Sequence, residues 1–341
     1  MNKNDYIREN NKFFCEKTGY TNVVYTNGGS SAFHAFLLTQ NFKQGDEIIF
    51  PVECYPTLPM IAIQCGLKPV FADIDECYNL SPDAMKTKIS DRTCAVVVIH
   101  MAGIPAKMDE IVQALKGRDD IVLIEDWCQA FGTVLKGGLK KQSRTQAVIM
   151  SFSSSKLLSI DGGGLCLTDS EMWAEQMECI INNGYDPVRK FITLGYTYYM
   201  HSLQYKLLYE KIQKTVNIIE KHDKMFNEVY KQMLPEFRPI CKKNDKILQH
   251  KLVTQVALDG FDFGNIKDEL IFKDYFFVGE YHYPVDVFDE KFMKDLYPNS
   301  AHNMKGEFPV FTQKKKTYFA FRMQEDIESY VNFMKQIIKM R

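Results

Sequence analysis

The stretch CAVVVIHMAGIPAKMDEIVQALKGRDDIVLIED, residues 94–126, decides the fold. Its first and last runs, CAVVVIHM (94–101) and DIVLIED (120–126), are continuously apolar, as in strands covered on both faces. Between them MDEIVQALKG (108–117) repeats its apolar residues with helical spacing and stops at glycine. Strand, helix, strand in that order predicts parallel pairing with a helix on the sheet.

The same alternation extends both ways. Upstream, VVYTN (23–27) leads into the helical GGSSAFHAFLL, and DEIIFP (46–51) is a strand stopped by Pro51. LPMIAIQCG (58–66) is a helix closed by Gly66, and KPVFADID (68–75) a further strand. Downstream, AVIMSFS (147–153) and GLCLTD (164–169) are strands on either side of a glycine bend at 162–164. Residues 201–234 make one or two long amphipathic helices, beyond which the chain is aromatic-rich, with FDF, YFFV and YHYP, and closes with a helix over 325–338. The expected architecture is an α/β domain over 1–215 and a smaller α+β domain over 216–341.

Composition narrows the function. The 341 residues carry a formal charge of -1, which gives no reason to expect nucleic acid or an anionic membrane as partner. No apolar run approaches the ~20 residues of a membrane span, and MNKNDYIRENNKFF has no basic-then-apolar signal pattern, so a cytoplasmic protein is expected. The nine cysteines are scattered singles without zinc spacing, read mostly as small buried residues, and the seven histidines are dispersed. No metal site is expected.

Ligands of open α/β sheets bind beyond the carboxyl ends of the strands. Four such places carry suggestive side chains. GGSS places Ser30 and Ser31 at a helix N-terminus, where N–H groups and the helix dipole suit a phosphate; a serine there serves equally as an N-cap. Glu125 and Asp126 end a buried strand, with Gln129 in the next turn; a carboxylate there suits a pyridinium N–H, or caps the following helix. Tyr55, just after a strand end, either lays its ring on a flat heteroaromatic ligand or packs in the core. In SFSSSKLLSIDGGG (151–164), Ser151 and Lys156 leave a strand together, and the glycines allow close backbone approach. A phosphate cradle, an acid, a stacking ring and an imine-forming lysine together match the needs of pyridoxal phosphate.

The order of these blocks resembles the DegT/DnrJ-type nucleotide-sugar aminotransferases of the fold-type I superfamily. The likeness runs from about residue 10 to 205 through GSSAFHAFLL, GDEIIFP, CGLKPVFADID, RTCAVVVIHMAG, IEDWCQAFG, SFSSSK, DGGG, NNG and LGYTYYM, with EYHYP and FPVF further on. It implies a mainly parallel seven-stranded sheet between helices. By the same resemblance Lys156 joins the cofactor's aldehyde, Asp126 pairs with its ring nitrogen and Gln129 approaches its 3-oxygen. Tyr55 stacks on the ring, and Ser30, Ser31 and Ser151 hold the phosphate. It further implies a homodimer that moves an amine, usually from glutamate, onto a keto sugar carried by a nucleotide, for polysaccharide or a glycosylated metabolite. A dehydratase of the same family replaces the lysine with histidine, a cysteine desulfurase places histidine where Tyr55 stands, and a non-catalytic relative is a further alternative. The chain departs from the family where Gly195-Tyr196-Thr197-Tyr198-Tyr199 stands in place of GYNYR, whose Asn reaches the partner's phosphate, and where Trp127 replaces a small residue.

Overall fold

The computed structural model describes residues 1–154, 156–239, 244–249, 251–256, 318–322 and 335. Its main sheet has seven strands: β1 (Asn22–Thr26), β2 (Glu47–Pro51), β3 (Lys68–Ala72), β4 (Thr93–Ile99), β5 (Val122–Asp126), β6 (Ala147–Ser151) and β7 (Gly164–Thr168). Their order across the sheet is β1-β7-β6-β5-β4-β2-β3. Strands β2 to β6 are parallel, and β7 runs antiparallel to both β6 and β1. A parallel return after β6 requires a crossover, usually helical; the segment between β6 and β7 forms turns, so the chain comes back antiparallel.

The helices are α1 (Lys3–Thr18), α2 (Gly29–Leu38), α3 (Thr57–Gln64), α4 (Pro82–Lys88), α5 (Met108–Ala114), α6 (Phe131–Leu135), α7 (Glu171–Ile181), α8 (Ser202–Gln213) and α9 (Thr215–Lys231). The apolar runs of β4 and β5 are explained by burial on both faces. Val96, Val98 and Leu123 pack with Ile111 of α5 and Leu115 just after it, whereas Val97, Ile99 and Ile124 join Phe33 and Phe36 of α2 in a separate cluster. Helix α1 arises from the polar N-terminal stretch because its ends are capped. Asn2 accepts from the N–H groups of Asn4 and Asp5, Asp5 accepts from the Asn2 N–H, and Gly19 closes the helix at φ 79°. Its Phe14 is fully buried beside Tyr25, Phe131 and Phe152.

The amphipathic stretch forms two helices, α8 and α9, joined at Lys214, beside the domain boundary expected from the sequence. Helix α9 is tied back to α6 through Lys136, whose Nζ lies 2.6 and 2.7 Å from the Asp223 carboxylate. A second sheet, antiparallel, orders β8 (Phe237–Pro239), β9 (Lys251–Val256) and β10 (Tyr318–Arg322) as β10-β9-β8. The aromatic motifs FDF, YFFV, YHYP and FPVF and the helix expected over 325–338 lie outside the described residues. The eight described cysteines are all free; three are buried and five half-buried, and Cys241 lies outside the described residues.

Candidate active site

The carboxyl ends of β1, β2, β4, β5 and β6 lie along one edge of the sheet. There β6 ends at Ser151 opposite Gly164, and β1 ends at Thr26 opposite the same glycine. Three backbones therefore converge. A Cβ on Gly164 would sit 2.5 Å from the Gly29 nitrogen, 2.6 Å from the Gly28 carbonyl carbon and 2.7 Å from the Met150 oxygen. A Cβ on Gly29 would meet the Ser151 Cβ at 3.0 Å and the Cys128 Sγ at 3.5 Å. Only glycine fits at 164, because the obstructing atoms are main chain. Gly164→Ala is expected to destabilise the fold by about 3 kcal/mol, read as a lowered urea midpoint with unchanged slope.

This junction delivers the N-terminus of α2 to the edge. Its N-cap is Gly28, which has no side chain to cap the first-turn N–H groups. The Ser31 hydroxyl donates to Asn27 Oδ1 at 2.6 Å, leaving its lone pairs as acceptors. The Ser30 hydroxyl makes no hydrogen bond among the described residues. Among the described residues Ser151 Oγ has only weak contacts, at 3.4 Å, with Ser153.

Lys156 sits in the turn after β6. Its N–H donates to the Ser153 carbonyl and its carbonyl accepts from the Ser159 N–H. Half-buried, it lines one concavity with Trp127, Cys128, Gln129 and Ser151. Among the described residues no carboxylate lies within ion-pair distance of its Nζ. Asp126 is fixed by the Cys128 N–H, which donates to Oδ1 at 2.7 Å. The Cys128 thiol registers both charges: burial pushes its pKa far up, Asp126 pushes it further, and Lys156 pulls it back. That thiol is protonated, and a poor nucleophile at neutral pH.

Gln129 Oε1 accepts from the Ala102 N–H at 3.0 Å, and its Nε2 lies 3.7 Å from the Met101 sulfur. Ala102 has φ 54°, a left-handed conformation that alanine rarely adopts and that aims its N–H at Gln129. Tyr55 is 55% exposed, which removes the core-packing alternative for its ring. The loop bearing it adjoins Asp126, since the neighbouring Cys54 thiol is pushed up by burial and then by Glu53 and Asp126. Thr197 is exposed and its hydroxyl donates to Asn183 Oδ1 at 2.7 Å; its segment runs beside the end of β1, where Tyr199 bridges Thr26.

The structure thus brings Lys156, Asp126, Gln129 and Ser151 together beside the start of α2. The sequence reading named Glu125 together with Asp126 without telling their faces apart, and it did not single out His100. Glu125 and Asp126 are adjacent, but strand alternation sends them to opposite faces, and Glu125 is wholly buried against His100, Trp127 and Thr145. His100, one of seven scattered histidines in the sequence, had only its place after a strand to mark it. Among the described residues no cluster of three or more His, Cys, Asp or Glu could hold a metal, and no helix is long and apolar enough to cross a membrane.

A model of the DegT/DnrJ/EryC1/StrS aminotransferase family matches residues 1–307. The chain belongs to this family. Its members are pyridoxal-phosphate-dependent enzymes, and the fold described above is their fold-type I architecture. Among curated family relatives, the GDP-perosamine synthase of Caulobacter vibrioides is 29% identical over 202 residues, or 58% of this chain and 54% of that protein. The alignment therefore spans about half of the relative's length. Among solved structures, the pyridoxal-phosphate form of the putative sugar aminotransferase Spr1654 from Streptococcus pneumoniae superposes with a TM-score of 0.84 at 17% identity, covering 98% of this chain and 91% of that one. GDP-4-keto-6-deoxymannose-3-dehydratase (ColD) with bound GDP-perosamine gives 0.79 at 19% identity, covering 98% and 92%. At such identities these likenesses speak to the fold.

Proposed function

We propose that the chain is a cytoplasmic, pyridoxal-phosphate-dependent aminotransferase that converts a keto group of a nucleotide-linked deoxysugar to an amine, with glutamate as donor. The observation that carries this reading is the meeting of Lys156 and Asp126 around Cys128, beside the uncapped N-terminus of α2. The residues fit the cofactor. The glycine-lined start of α2 offers bare N–H groups and the Ser30 hydroxyl to a phosphate, with Ser151 adjoining, while Asp126 offers an anion to a protonated ring nitrogen.

When bound, pyridoxal phosphate supplies an aldehyde that takes up amines and a ring that accepts an electron pair. Lys156, without a carboxylate partner among the described residues, would hold the cofactor through its aldehyde and would serve as the general base and acid that moves a proton at the substrate carbon. Asp126 keeps a proton on the ring nitrogen. Gln129, held by Ala102, orients the ring through its amide, and the exposed Tyr55 covers one ring face. Glutamate should bleach the cofactor's absorbance at about 420 nm, and a nucleotide-linked keto sugar should restore it. An absorbance indifferent to every amino donor would overturn the assignment. The dehydratase reading draws on the ColD likeness, but retention of Lys156 opposes it.

A homodimer is part of the proposal. Val188, Phe191, Ile192 and Leu194 form an exposed apolar run, with Leu194 88% exposed, on the segment that leads to Thr197. Such a run is suited to burial by a second copy, which would bring Thr197 towards the partner's phosphate site. Leu194→Glu is expected to weaken association by about 2 kcal/mol, seen in sedimentation velocity as monomer at concentrations where the parent is dimeric. The division into domains at residue 215 belongs to the same reading.

A further inference from the structure

The Glu125 carboxylate, 0% exposed, accepts three hydrogen bonds. Oε2 receives His100 Nε2–H at 2.8 Å and Trp127 Nε1–H at 2.9 Å, and Oε1 receives the Thr145 hydroxyl. The Ala106 N–H donates to His100 Nδ1 at 3.0 Å, which leaves Nε2–H as the donor to Glu125. For the Glu125 carboxyl, burial pushes the pKa up, and the bonds from His100, Thr145 and Trp127 pull it down. It is an anion at neutral pH, satisfied by donors.

What those donors belong to gives the network its meaning. His100 opens the turn after β4 that presents the Ala102 N–H to Gln129. Trp127 opens the turn after β5, between Asp126 and Cys128, and is itself fully buried with its ring edge against Tyr20. One carboxylate oxygen therefore joins the first side chains of both turns that shape the site. Backbone bonds at the same places, His100 N–H to Asp126 O at 3.3 Å and Trp127 N–H to Ile149 O at 2.9 Å, leave the side chains of Asp126 and Gln129 to be set by the turns.

We propose that Glu125 is a positioning residue: through His100 and Trp127 it locks the turns at 100–103 and 126–129 in register, so that Asp126 and Gln129 meet the cofactor ring at fixed angles. The inference rests on the roles given above to those two residues.

The test compares three variants of the full chain. Glu125→Gln can place its carbonyl oxygen at the Oε2 position and turn its NH2 to the Thr145 oxygen, keeping all three bonds without the charge. Glu125→Leu keeps volume and removes every acceptor, and Trp127→Phe removes one donor while keeping an aromatic ring. In the cofactor-free protein, amide exchange at 100–104 and 126–130 should rise about tenfold in Glu125→Leu, and at 126–130 in Trp127→Phe. After loading with pyridoxal phosphate, the visible circular dichroism of the cofactor should change in both, and kcat should fall about tenfold with the donor KM within about twofold. Glu125→Gln should stay within about twofold of the parent in each readout. If Glu125→Leu does not fold, Trp127→Phe carries the test at its own turn.

Exchange at parental rates in folded Glu125→Leu, or in Trp127→Phe where the leucine variant fails, would overturn the proposal, as would an unchanged cofactor signal beside loosened turns. Asp126→Asn serves as the control. A parental cofactor signal in that variant would overturn the role of Asp126 itself, and the exchange of the cofactor-free protein would then judge the Glu125 lock alone.

Discussion

Lys156→Ala is expected to lose turnover by about 10⁴-fold while folding as the parent does. On the proposed reading the chemical loss is large because one amine would both hold the aldehyde and move the proton, so truncation removes two functions at once. The structural loss is small. Lys156 is half-buried, its main-chain bonds to Ser153 and Ser159 survive substitution, and its Nζ has no carboxylate partner among the described residues. With added pyridoxal phosphate the variant should lack the band at about 420 nm, while its thermal midpoint should shift little. Persistence of that band and of turnover would assign the role to another lysine.

Asp126→Asn should reduce kcat by about 10³-fold, or about 4 kcal/mol in activation free energy. Asparagine keeps an oxygen to accept the Cys128 N–H, which is bonded to Asp126 Oδ1 at 2.7 Å, so the turn should persist. What it lacks is the negative charge that favours a proton on the ring nitrogen. Stability near that of the parent with severely reduced turnover is the expected pair of results, measured by denaturant titration and by the half-reaction with glutamate. Parental rates would refute the assignment.

The parts of the fold that were legible in the sequence are those in which burial dictates residue type. Strands β4 and β5 pack on both faces and so read as unbroken apolar runs, and the helix between them carries one apolar stripe. Helix α1 was not anticipated because its polarity dominates; its capping box at Asn2 and Asp5 was the available signal. The reversal of β7 leaves no mark in composition, since strand direction is set by how the chain returns rather than by what the strand contains. In the candidate site, residues directly after strands could be found by position. Partners distant in sequence could not: nothing near Thr197 indicates that its hydroxyl is bonded to Asn183, and nothing in the pair Glu125-Asp126 tells which carboxylate faces inward.

The meeting of Gly28, Gly29 and Gly164 bears on how such an enzyme can be altered. A Cβ at Gly164 would collide with main chain, so a library randomised there would yield mostly unfolded clones, whereas a Cβ at Gly28 would meet open space. Variation has to enter through the rim, at Tyr55 or along the exposed segment near Thr197, where side chains are exposed to solvent. A redesign for a new substrate would therefore hold the floor of the site constant and spend its diversity on those two loops.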